Sequence, residues 1–166
     1  MSFEFGFVKE KYSKDISWED RVYYFNWCGR ENYELFTMLS LLGESVLVDT
    51  EGKYLKYYEY KIDIEKLDFI PRLYRQVHQN KYYEKILKLC MFNDDFVDDY
   101  VNSLSMEDKA DLRLAFILDN TSSIVDNICV ELFDKFEYGY HMIEALYDGY
   151  MKMIEDGAKT VWLYGE

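Results

Sequence analysis

Proline occurs once, at Pro71, and glycine eight times in 166 residues. With no Ser/Gly/Pro-rich linker, low-complexity tract or repeat, a single globular domain over residues 1–166 is expected. Cysteine is scarce too: Cys28, Cys90 and Cys129 are odd in number and widely spaced. That pattern argues against a disulfide framework and predicts reduced thiols packed as small hydrophobes. The two histidines, His78 and His141, stand in neither an H-E-x-x-H nor a C-x-x-C context, so no metal site is assigned and both are expected in structural or surface roles. The phosphate-cradling G-x-G-x-x-G and G-x-x-x-x-G-K-[ST] patterns and the G-x-S-x-G nucleophile elbow are missing, so no cofactor and no catalytic residue is assigned. No apolar run approaches the roughly 18 residues of a membrane span, and no signal-peptide pattern is seen. The expectation is a cytoplasmic chain that does not enter a membrane.

Positive charge is the other shortage. Lys and Arg number 19 against 32 Asp and Glu, a net charge of −13. A field of that sign repels phosphate backbones and anionic headgroups, which disfavours direct nucleic-acid and membrane-surface binding and favours a basic partner. The imbalance is uneven along the chain. Residues 1–52 carry a net −5, residues 53–92 a net +4 from Lys53 to Lys88, and residues 93–166 a net −12.

What the chain has in quantity is apolar and aromatic residues, 49% and 19%, enough for a chain of this length to bury roughly 70% of its surface. Phe3-Glu4-Phe5-Gly6-Phe7 alternates with period two and predicts a short strand. Ser17 with Asp20 resembles a capping box and Gly29 a helix stop, predicting a helix over about 18–28, and a second over about 31–42 closes at Gly43. Ser45–Val48 and Tyr54–Tyr58 flank Asp49-Thr50-Glu51-Gly52, which predicts a hairpin near 45–60.

From Asp63 the pattern is helical. Asn93, Ser105 with Asp108, and Ser122 or Ser123 read as N-caps. Ile124, Ile128, Leu132 and Phe136 form a stripe at i, i+4, i+8 and i+12, with Asp126, Asn127, Asp134 and Lys135 opposite. Met142, Ile143, Leu146, Tyr147, Tyr150 and Ile154 repeat it until Asp156-Gly157, and Thr160–Tyr164 reads as a last strand. The expected fold is therefore α+β and mainly helical, with about seven helices and a small sheet formed by the hairpin and the terminal strands.

Two features point to a contact surface. Asn93-Asp94-Asp95-Phe96-Val97-Asp98-Asp99-Tyr100 is the densest run of charge. On a helix it sets Asp94/Asp98 and Asp95/Asp99 as like-charged i, i+4 pairs, each costing about 0.2–0.5 kcal/mol, while Phe96, Val97, Tyr100, Val101 and Leu104 share the anchoring face. The bland alternative is a solvated helix start. A calcium loop is not supported, because the D-x-D-x-D-G pattern is missing. The second feature is tyrosine among acids: Glu137, Tyr138, Tyr140, Glu144, Tyr147 and Asp148 form a second candidate patch, since a tyrosine ring offers apolar area and a face for a cation, although any one of these rings can equally be core packing.

In size, acidity, aromatic content and lack of motifs the chain resembles small cytoplasmic inhibitor proteins of bacteria and their phages, a likeness of composition that transfers no residue. The leading expectation is a non-catalytic inhibitor of the toxin immunity type. It would mask the basic active site of a toxin, or the cleft of a nucleic-acid-binding effector, and exist as a monomer or simple homodimer. A phage anti-CRISPR or anti-restriction DNA mimic is the close rival, and an enzyme with a site of unrecognised pattern is the alternative of a different class.

Overall fold

The computed structural model describes residues 3–10, 17–27, 32–46, 58–134 and 136–165, with the backbone alone at residues 18, 25–27, 58, 94 and 136–141. Its fold is α+β and mainly helical, with eight α-helices and five strands among the described residues. The chain divides into two compact units, residues 1–68 with 145–166, and residues 69–144.

The first unit is built on the sheet. Its strands are β1 (Glu4–Val8), β2 (Val22–Trp27), β3 (Glu44–Val46), β4 (Tyr58–Asp63) and β5 (Thr160–Gly165), in the order β2-β1-β5-β4-β3 with every neighbour antiparallel. β1 and β5, the two terminal strands, lie side by side inside the sheet. That interior position matches the burial of the Phe-rich N-terminal strand: Phe5, Phe7 and Val8 are all fully buried. Short helix α2 (Tyr33–Ser40) packs Phe36 edge-on against Tyr60 and Phe3.

The helix expected over 18–28 is a correction. Ser17 does cap, accepting from the Asp20 backbone N–H, but α1 lasts one turn (Trp18–Arg21) before β2 begins. Val22-Tyr23-Tyr24-Phe25 is a run of β-branched and aromatic residues, and pairing with β1 overrides the cap. Gly29, the expected stop, lies outside the described residues. So do the hairpin's turn and most of its second arm (47–57). The paired arms are β3 with β4, and β4 continues to Asp63, past the expected end at Tyr58.

Helix α8 (Phe136–Glu155) ends on a 6→1 and 5→2 hydrogen-bond pair: Ala158 N–H donates to Met153 O and Gly157 N–H to Ile154 O. Gly157 holds a φ of 67°, the left-handed turn that glycine enters without a Cβ clash. Upstream, a Cβ on Gly149 would come within 2.7 Å of Tyr24 Cβ, so glycine sets how closely α8 approaches β2.

The second unit contains helices α3 (Phe69–His78), α4 (Lys81–Cys90), α5 (Asp94–Ser103), α6 (Met106–Leu114) and α7 (Ser123–Asp134). The expected caps form: Asn93 accepts from Asp95 N–H, Ser105 from Asp108 N–H and Ser122 from Val125 N–H. Of the α7 stripe, Ile128 and Leu132 are core and Ile124 is half-buried, with the flanking Val125 and Cys129 buried and Asp126, Asn127 and Asp134 exposed. Phe136 and Lys135 fall where side chains are not described.

Burial leaves a pH signature. Cys129 is pushed up to about 12, first by burial and then by Asp126. Tyr23 is also pushed up to about 12, by burial and by its hydroxyl's hydrogen bond to Asp156. Tyr83 is raised further, again first by burial. All three stay protonated in the folded chain above the pH where the unfolded chain gives up its protons. Their contribution is whole below the ordinary values of 9.0 for the thiol and 10.0 for the phenols and is lost as pH rises toward 12. Stability is thus expected to fall steeply above about pH 9. Urea unfolding across the alkaline range checks this: Cys129→Ala should flatten the slope, and a wild-type slope in that variant would refute the assignment.

Candidate functional site

Helix α5 starts at the Asn93 cap and carries four aspartates. Asp95 and Asp99 are exposed and Asp98 is half-buried, whereas Asp94 is described by its backbone alone. The anchoring face is narrower than the spacing predicts. Val97 is fully buried and Val101 and Leu104 half-buried, a single i, i+4, i+7 row. Phe96, expected as an anchor, is instead 51% exposed. It lies 100° around the helix from Val97, and that rotation carries it past the edge of the buried row. Tyr100 is half-buried, with the Lys85 ammonium 4.5 Å from its ring centroid.

Sequence reasoning missed the residues just before the cap. Met91 is 84% and Phe92 81% exposed, both in the turn between α4 and α5. With Phe96 they place three large apolar side chains within six residues, directly ahead of and within the acidic helix. No sequence signal marks their exposure, because an apolar residue just ahead of an N-cap commonly packs back on the first turns of the helix.

A cavity of about 220 Å³ opens between α5, α6 and α7, with Val97, Val101, Leu112 and Phe133 as its apolar lining and Asp98, Asn102 and Asp134 as its polar groups. Asp98 and Asp134 both line it, from two different helices, which sequence spacing does not reveal. Arg113 places its guanidinium 5.8 Å from the Phe133 ring centroid.

Of the second candidate patch, three of the six side chains are described. The side chains of Glu137, Tyr138 and Tyr140 lie outside the description. Glu144 is engaged internally: its Oε1 accepts from the Tyr83 hydroxyl at 2.8 Å and lies 2.7 Å from His78 Nε2. Tyr83 is fully buried, so Glu144 satisfies a hydroxyl that would be costly to leave unpaired. His78 stacks on Tyr74 at 4.1 Å between centroids. Tyr147 is half-buried and Asp148 exposed. The side chain of His141 is likewise not described.

The basic middle stretch is partly neutralised from within. Lys88 pairs with Glu84 at 3.1 Å, Lys81 lies over the Tyr82 ring, and Arg72 donates to the Asp119 carbonyl. The Tyr82 hydroxyl donates to the Asp108 carboxylate, which holds Asp108 below the usual carboxylate range. Among the described residues no group of three or more His, Cys, Asp or Glu is placed to hold a metal ion, and no helix is long and apolar enough to cross a membrane. Compared with protein-family models, curated proteins and solved structures, the chain matches none.

Proposed function

We propose that this chain is a non-catalytic inhibitor, of the toxin immunity type, that masks a basic surface of a partner protein with the α4–α5 corner. The observation that carries the reading is the exposure of Met91, Phe92 and Phe96 beside the aspartates of α5. Single exposed apolar residues are ordinary, but three at one corner bordered by anions have the anatomy of an interface, with an apolar centre and a charged rim. A second copy of a chain of net charge −13 is a poor occupant because like charges would meet. A cationic partner is attracted at a distance by the rim and held by the apolar centre.

The test pairs the chain with a basic protein encoded by the adjacent reading frame and follows association by stopped-flow fluorescence over a range of salt. Replacing Asp94, Asp95, Asp98 and Asp99 together by Asn is expected to slow association at low salt by about tenfold and to flatten its salt dependence. The fold should be unchanged or slightly more stable, since two like-charge pairs disappear. Association at the wild-type rate at low salt would reduce the acidic helix to solvated surface.

A further inference from the structure

We infer that the cavity between α5, α6 and α7 is a socket for one arginine or lysine side chain of the partner, with arginine the better fit. The inference rests on the basic-partner reading above and names the anchor through which that partner is held. Its volume, about 220 Å³, is below the roughly 300–1,000 Å³ of small-molecule and cofactor sites, so it suits a single side chain. Its chemistry is divided in the way a long cationic side chain is divided. Val101 and Phe133, both half-buried, offer apolar surface to a methylene stem, with Val97 and Leu112 buried beneath them, and Asp98 and Asp134, from different helices, offer carboxylates to a cationic head.

A purely apolar occupant would leave two carboxylates partly desolvated and unpaired, and an anionic one would be repelled. Arginine is favoured over lysine because its planar guanidinium can meet two carboxylates and stack on an aromatic ring. The Phe133 ring already takes a cation at its side, the Arg113 guanidinium, 5.8 Å from its centroid, so a guest guanidinium would compete with Arg113 for that ring. Asp98 also belongs to the acidic run on α5, so the socket is continuous with the surface that attracts the partner.

The test uses the full chain and N-butylguanidinium as a probe, followed by ¹³C-methyl NMR at Val97, Val101 and Leu112. Saturable shifts confined to these methyls are expected, with the affinity weakened about three- to tenfold by Asp98→Asn with Asp134→Asn. Arg113→Ala, which removes the competing cation, should tighten binding about two- to threefold. 1-Butanol, which has the stem without the charge, should leave the methyls unmoved at the same concentration. The inference is overturned if the probe shifts none of these resonances, if 1-butanol matches it, or if the paired Asn variant binds it equally well. Such a failure, with the salt-dependent association above intact, would remove the socket and leave the basic-partner reading standing. Loss of that association with the probe still bound would do the reverse.

Discussion

Glu59→Ala is expected to destabilise the chain by about 3–5 kcal/mol, a large share of a total that rarely exceeds about 15. Glu59 sits on β4, between β3 and β5, and its side chain is completely buried. Its Oε1 lies 3.6 Å from Nη2 of Arg21, a side chain only 2% exposed, and the same guanidinium nitrogen donates to the Glu10 carbonyl at 2.5 Å. Removing the carboxylate takes its counter-charge from a guanidinium held away from water, and the cost arises chiefly from that poorer compensation of a buried charge rather than from the lost attraction.

A double replacement separates the two contributions. Arg21→Met with Glu59→Leu fills similar volume without charge and should recover most of the loss, because desolvating both ions offsets much of what their attraction gains. Urea denaturation of the wild type, both single variants and the double variant measures the cycle. A loss below about 1 kcal/mol for Glu59→Ala would mean that water or another anion reaches the Arg21 guanidinium.

That pair also marks where sequence reading stops. The caps at Asn93, Ser105 and Ser122 were legible because a capping side chain acts within three residues, and the α7 core face was legible because helical period and burial agree along 12 residues. Arg21 and Glu59 are separated by a strand, a helix and another strand, and nothing local distinguishes them from surface charges. The same applies to Glu144, whose acidity among tyrosines reads as surface until His78 and Tyr83, from two earlier helices, are found against it.

At Ser17 the local signal was real but weak. A cap is worth about 1 kcal/mol, less than a strand gains when Val22-Tyr23-Tyr24 pairs with β1 and two of its tyrosines are buried. On α5 the run of aspartates was visible as composition. Which apolar residues stood beside it depended on a rotation of 100° per residue, and a face drawn wide enough to include Phe96 concealed the exposed corner.

Truncating that corner should separate binding from folding. Met91→Ala with Phe92→Ala is expected to leave stability within about 0.5 kcal/mol of wild type, because residues 84% and 81% exposed have little native packing to lose. The same pair should weaken binding to a basic partner by at least about 2 kcal/mol, roughly thirtyfold, if the two side chains are the desolvated centre of the contact. The loss should appear mainly as faster dissociation, since apolar anchors act after encounter, whereas the aspartates act before it and govern the association rate. Surface plasmon resonance on the two classes of variant therefore gives opposite kinetic signatures: faster release for Met91 and Phe92, slower capture for the aspartates. Phe96→Ala belongs with the first class, with a smaller effect because half of its side chain is already covered. Should the double alanine variant keep wild-type dissociation while unfolding at lower urea, Met91 and Phe92 would be packing groups of the α4–α5 turn, and the partner surface would have to be sought elsewhere on the acidic half.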